Sequence, residues 1–250
     1  EGNFNFTVNV NCGPLIPYFP ASYNDNSRKR KFVLGLETPD LLKVALTDIP
    51  ETSHNTFLQT CFERLSHALQ YHCDEIGNVL DKFTQSSDCE FVFAGLDSSA
   101  APSKQCTSMV EIYKLLGVEY FGAAGTVEIS SLLTKVFKSV KRIKLLGFSG
   151  LMLAVTEDNG LAQASNNNEF DIRALLTYSA VCGIGLDTVP IPGDTSIEKI
   201  AALIRDTGTM AFRLNKPLTV RLFPVPGLSA GDMTTFISDD LCNCRILAVP

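Results

Sequence analysis

Five acidic side chains, Asp97, Glu157, Asp158, Asp187 and Asp194, stand in or beside loops that follow strand-like runs. Carboxylates gathered in one hollow support two kinds of chemistry. They bind Mg²⁺ or Ca²⁺ through oxygen, or they divide into general acid and general base, because crowded carboxylates push their pKa values apart. Asp97, Glu157 and Asp187 are the expected catalytic residues and, in the metal version, the expected ligands. Asn11, Ser98, Asp194 and Arg221 are expected to bind substrate, a small polar or anionic metabolite. Arg221 offers a planar bidentate guanidinium, and Pro192-Gly193-Asp194-Thr195 opens a helix whose free N–H groups suit a phosphate or carboxylate, although Asp194 would oppose the anion. Each acid also has a structural reading, with Asp97 in an Asx turn and Asp194 with Thr195 at a helix cap.

Other chemistries find less support. Gly147-Phe148-Ser149-Gly150 is not G-x-S-x-G and leads into an extended run, whereas a nucleophile elbow needs a helix. Gly183-Ile184-Gly185-Leu186-Asp187 lies after a helix and before a strand and lacks the third glycine of a dinucleotide loop. The three histidines, His54, His67 and His72, fall in or near one long helix, away from the strand ends, and read as surface residues. Cys242-Asn243-Cys244 has no second pair at zinc-ligand spacing.

The elements that must position the acids follow from periodicity. Phe4 to Val10 alternates apolar and polar residues and predicts a strand. Phe32 to Leu36 is a second, and Thr38-Pro39-Asp40 opens a helix over Leu41 to Leu46. Phe57 to Phe83 carries one apolar stripe at three- and four-residue steps and is the strongest helix. Strands are then expected at Glu90 to Leu96, Val118 to Phe121, Ile143 to Val155, Leu186 to Ile191 and Leu218 to Phe223. Helices are expected up to Gly117, from Thr126 as N-cap to Val140, over Phe170 to Val181, and from the capping box Thr195 to Glu198 as far as Leu214. Strands alternating with helices imply an α/β fold with a largely parallel sheet and its ligand site beyond the carboxyl ends of the strands.

Composition bounds the partners. The 250 residues carry 21 basic and 27 acidic side chains, and a net charge of -6 gives no reason to expect nucleic acid. No apolar run reaches the roughly 18 residues of a membrane span. Eight cysteines, mostly beside apolar segments, read as reduced core thiols of a cytoplasmic protein. No Gly/Ser- or Pro-rich divider splits the chain, so residues 1–250 read as a single α/β domain.

Four stretches carry a family resemblance. They are Asn11-Cys-Gly-Pro-Leu-Ile-Pro-Tyr-Phe-Pro-Ala-Ser-Tyr23, Glu157-Asp-Asn-Gly-Leu-Ala162, Cys182-Gly-Ile-Gly-Leu-Asp-Thr-Val-Pro-Ile-Pro-Gly-Asp-Thr195 and Arg221-Leu-Phe-Pro-Val-Pro-Gly-Leu-Ser-Ala-Gly-Asp232. In this order the chain closely resembles the proteins grouped as domain of unknown function 711, and corresponds to about the C-terminal half of a usual member. The resemblance implies a fold like part of the α/β barrel of the pyruvate formate-lyase-like enzymes. It does not imply radical chemistry, since the sequence has no Arg-Val-x-Gly-Tyr segment and no Cys-Cys pair.

Two functions are therefore expected to compete. One is an enzyme of lyase or hydrolase type with an acidic pocket, which in the metal version holds Mg²⁺ or Ca²⁺. The other is a non-catalytic binding or assembly protein whose exposed sheet edge pairs with the missing N-terminal half, with a partner chain or with a second copy. Convergence of the acids in one hollow discriminates them.

Overall fold

The structure is a computed structural model that describes residues 2–50, 52–86 and 91–250. A short 3₁₀ turn, Gly2–Asn5, leads to β1 (Val8–Val10), β2 (Arg30–Gly35), α1 (Pro39–Ala45), α2 (His54–Ser86), β3 (Phe91–Asp97), α3 (Met109–Leu115), α4 (Thr126–Lys138), α5 (Asn159–Asn166), α6 (Ile172–Ser179), β4 (Gly185–Pro192), α7 (Ile197–Arg213) and β5 (Leu218–Val225). Cys89 and Glu90, read from sequence as a core thiol and a strand start, and the chain start at Glu1 lie outside the described residues. None of the described helices is long and apolar enough to cross a membrane.

The class is mixed α/β, but the largely parallel sheet is not what forms. β2 and β3 pair in parallel, while β5 lies between a parallel β4 and an antiparallel β1. No closed barrel exists among the described residues. The run from 144 to 155 links the two sheets. Leu96 N–H donates to Lys144 O at 2.9 Å and Leu146 N–H to Leu96 O at 3.0 Å; farther on, Gly183 N–H donates to Leu151 O at 2.7 Å and Val155 N–H to Asp187 O at 3.1 Å. These remain isolated bridges because Gly147 and Ser149, at φ 64° and 40°, leave the extended region between them.

Local competition explains the other departures from the sequence pattern. Phe4 turns inward against Phe223, with ring centroids 6.3 Å apart, so β1 shortens to three residues and Phe6 is exposed. The expected strand Val118 to Phe121 does not form, because the Val118 N–H closes a Schellman motif onto Tyr113 O at 3.0 Å around left-handed Gly117. Thr126 is the first residue of α4 rather than its cap, its hydroxyl donating to Ala123 O. Ser196, not Thr195, caps α7 by accepting the Lys199 N–H. The polar helix α5 has no apolar stripe to reveal it and is set by its Asp158 cap.

The core lies between the helices and the inner sheet faces. On α2, Leu58, Cys61, Leu65, Leu69 and Cys73 are buried at the expected spacing. Lys216, just before β5, is also buried, and its ammonium donates to Ser179 O (3.0 Å), Ala180 O (3.2 Å) and Cys182 O at the end of α6. Helix C-termini leave their last carbonyls without partners, and a cation there satisfies both the hydrogen bonds and the dipole. Lys216→Met strips three acceptors at once and is expected to cost about 2 kcal/mol, read as a lower urea midpoint at unchanged m-value.

Candidate functional site

Arg221, on the β5 face that also carries Thr219 and Phe223, reaches across to β4. Its Nε donates to Asp187 Oδ1 at 2.7 Å and its Nη2 to Glu157 Oε1 at 2.8 Å. The Arg221, Asp187 and Glu157 side chains are 8%, 5% and 17% exposed respectively, so this is a buried ion ladder. The guanidinium carbon lies 5.6 Å from the Phe4 ring centre, which is why the N-terminal turn folds over it.

A bulge aims the acids. Leu186 pairs with Val220 and Val189 with Leu222, so Asp187 and Thr188 together oppose Arg221. Thr188 takes φ 46°, a conformation that costs a β-branched residue about 1–3 kcal/mol. Its Oγ1 accepts the Thr156 N–H at 3.1 Å and thereby fixes the backbone one residue before Glu157. One strained residue thus sets both carboxylates. Nothing in the sequence marks it.

A cavity of about 300 Å³ opens onto this ladder, with Glu157, Asp187 and Arg221 in its floor and Phe4, Tyr18, Phe19, Phe148 and Met152 among its walls. Asp187 and Arg221 sit inside their strands, so the hollow lies lower than the strand ends where residue types and spacing place it. Asp187 Oδ2 and Glu157 Oε2 carry no hydrogen bond from the described residues and are not sealed from the cavity.

One guanidinium is shared by two buried acids. Burial, then repulsion from Asp187, push Glu157 up to about 7, against the pull of Arg221 and with a further push from Asp240. A direct ion pair ordinarily lowers a carboxyl. Here it loses, because burial and the neighbouring Asp187 together outweigh it.

The other expected site residues are held elsewhere. Asp97 is fully buried and accepts from Phe148 N–H (2.7 Å), Ser149 N–H (3.0 Å), Ser99 N–H (3.0 Å) and Ser99 Oγ (2.6 Å). The Gly147-to-Gly150 run is therefore a backbone nest filled by the protein's own carboxylate. Burial raises Asp97, with the Ser99 and nest hydrogen bonds opposing. Ser98 donates to Phe137 O at 2.7 Å. Asp158 caps α5 through Gly160 N–H (2.8 Å) and Leu161 N–H (3.1 Å) and also holds Met109 N–H (2.8 Å). Asn11 donates to Lys216 O at 3.3 Å, and Asp194 is exposed; neither lines the cavity.

Mg²⁺ or Ca²⁺ does not fit the donor set Asp97, Glu157 and Asp187. Asp97 has both oxygens taken by N–H and O–H donors, and Glu157 and Asp187 each give one oxygen to Arg221, which leaves two single oxygens where these ions take six or more ligands. Among the described residues no group of three or more His, Cys, Asp or Glu side chains is placed to hold a metal. Residue types alone do not single out Phe4, Tyr18, Phe148 and Met152. The Pro17-to-Pro20 loop is the one signal pointing toward Tyr18 and Phe19.

Comparison with known proteins gives the family. Residues 1–239 match the family model described as "Uncharacterised ACR (DUF711)". The chain belongs to the DUF711 family. A UPF0210 protein of Desulforudis audaxviator is 39% identical over 207 residues, 81% of this chain and 44% of the relative. A UPF0210 protein of Carboxydothermus hydrogenoformans is 35% identical over 211 residues, with the same coverages, and one of Pyrobaculum arsenaticum is 29% identical over 232 residues, 91% of this chain and 50% of the relative. The chain thus spans about half the length of the curated relatives it matches. All three members of the ion ladder fall in the stretches that carry the DUF711 resemblance, whereas Asp97 and Ser98 do not.

Proposed function

We propose that this DUF711 chain is an acid–base enzyme of lyase or hydrolase type, with Glu157 as its proton-transfer group. The observation that supports it is a carboxyl pushed up to about 7 by burial and a neighbouring carboxylate, at the floor of a mostly apolar-walled cavity that opens to solvent. Proton transfer is fastest when the group's pKa matches the working pH, and burial with a like-charged neighbour is how proteins bring a carboxyl there. Asp187 acts as a positioning residue, fixing Arg221 through Nε. Arg221 keeps Glu157 Oε1 in place, leaving Oε2 to take or give a proton, and stabilises negative charge that develops beside it.

Glu157→Gln tests this in two ways. The raised Glu157 binds a proton in the folded state between about pH 4.5 and 7 that the unfolded chain releases, so stability falls as pH rises through that window. The substituted amide cannot ionise, so the variant should match the parent near pH 4 and exceed it by about 2–3 kcal/mol at pH 8. Any turnover found by screening small metabolites should drop by about 10²–10⁴ in the same variant. A ¹³C-carboxyl titration of Glu157 at the ordinary value near 4.3 sinks the proposal.

The assembly reading keeps one specific support. The chain covers half of its relatives, and Phe91 and Val92 of β3 are 48% and 41% exposed. A remaining half, a partner or a second copy that covered them would bind through that sheet rather than through the cavity.

A further inference from the structure

The acid–base reading leaves open what the cavity holds, and the inference here rests on that reading. We propose that the cavity takes a small amine, its ammonium group between Asp187 Oδ2 and Glu157 Oε2 and its apolar body against Phe4, Tyr18, Phe19, Phe148 and Met152. The volume, about 300 Å³, suits a molecule of that size.

Charge decides against the anion that the residue types suggest. Arg221 is the expected anion clamp, but Nε and Nη2 already serve Asp187 and Glu157. An anion would have to approach the remaining Nη1 while facing both carboxylates. From the surrounding elements, Glu37 lines the same cavity and Asp240 repels Glu157 from the C-terminal segment. The Cys242 thiol, whose pKa burial raises, faces Glu157 from the same segment. Lys104 lies on the Cys242 side, donating to Ser238 O at 3.2 Å. Against these four carboxyl groups, Arg221 is the single cation among the described residues that line the cavity.

The Asp187 side chain is more deeply buried than that of Glu157. Asp187 is nearly sealed from solvent by its neighbours yet borders the cavity, so Oδ2 has no partner except what enters there. A buried acceptor without a donor costs more than a satisfied one, and an ammonium brings three donors with a charge opposite to a carboxylate's. The Thr7 and Thr219 side chains also line the hollow, and the aromatic walls add the favourable face of a π system to a cation. An ammonium seated there favours ionised Glu157, so amine binding and the Glu157 proton oppose each other.

Three probes with one body separate the cases: benzylammonium, benzyl alcohol and benzoate, titrated calorimetrically into the intact chain. At pH 8 benzylammonium should bind about tenfold more tightly than benzyl alcohol, and benzoate more weakly than either. Its advantage over the alcohol should shrink severalfold by pH 5.5, where Glu157 holds its proton. Glu37→Gln, on the exposed rim and outside the ion ladder, should weaken the ammonium about threefold and leave the alcohol unchanged. Equal binding of all three, tighter binding of benzoate, or no benzylammonium binding up to about 10 mM overturns the proposal. The ligand-free Glu157 titration is read separately, so a failed amine preference and a failed acid–base reading give different results.

Discussion

Replacing Arg221 with methionine is expected to cost about 3–5 kcal/mol of stability at pH 8, the largest loss of any substitution in the cavity. Methionine keeps the unbranched apolar stem but stops short of the guanidinium carbon beside Phe4, so the strand packing around the stem is disturbed little. What changes is charge. Asp187 and Glu157, 5% and 17% exposed, lose the one cation that both contact and are left side by side in a cavity with walls of aromatic and aliphatic side chains. Removing one partner of a buried ion pair leaves the other's desolvation uncompensated, which is why the loss exceeds what the pair contributed net.

The pH dependence gives this prediction its sign. Glu157 already holds its proton up to about pH 7, and without Arg221 it holds it higher still. The folded variant then binds protons that the unfolded chain has released, so its stability falls with pH more steeply than the parent's. Guanidinium unfolding at pH 5 and pH 8 should show the deficit widening by about 1–2 kcal/mol between them. Adding Glu157→Gln should recover much of the loss at pH 8, because the remaining charge is then a single carboxylate. A variant within about 1 kcal/mol of the parent at both pH values means the ladder does not form in solution.

Much of this site was legible from residue types, and the part that was not depended on backbone. Glu157, Asp187 and Arg221 stand out because acids and a guanidinium beside strands can converge in one hollow, although each acid also has a structural reading, and the helical and strand periods of α2, β4 and β5 are plain. Asp97 stood out for the same reason, but its role turned on two left-handed residues, Gly147 and Ser149, that point N–H groups at it. Residue type reveals a carboxylate's chemistry, not whether the chain has already used it. Asp158 shows this again beside Glu157: adjacent acids, one turned into two helix N-termini and one into the cavity. The bulge at Thr188 was invisible, because a β-branched residue in a strand-forming run gives no sign of positive φ. The barrel expectation depended on pairings between distant strands, which periodicity does not encode.

Asp97→Asn is the second large effect, and it separates the two kinds of acid in this chain. The carboxylate accepts four hydrogen bonds, three at Oδ1 and one from Phe148 N–H at Oδ2. Asparagine has the same shape but only one acceptor oxygen. With that oxygen at the Oδ1 position, its NH₂ meets the Phe148 N–H donor to donor, at a heavy-atom spacing of 2.7 Å in the parent. The turn lies tight against this oxygen, since a Cβ on Gly147 would come within 2.1 Å of Asp97 Oδ2. Losing charge-assisted bonds and stranding one buried donor should cost about 2–4 kcal/mol, or roughly 4–12 °C in Tm for a chain of this length. Benzylammonium affinity per folded molecule should stay within about twofold, because Asp97 contributes no atom to the cavity floor. If instead the variant folds as stably as the parent and loses the probe, Asp97 belongs to the site after all, and the nest around it is a binding element rather than a brace.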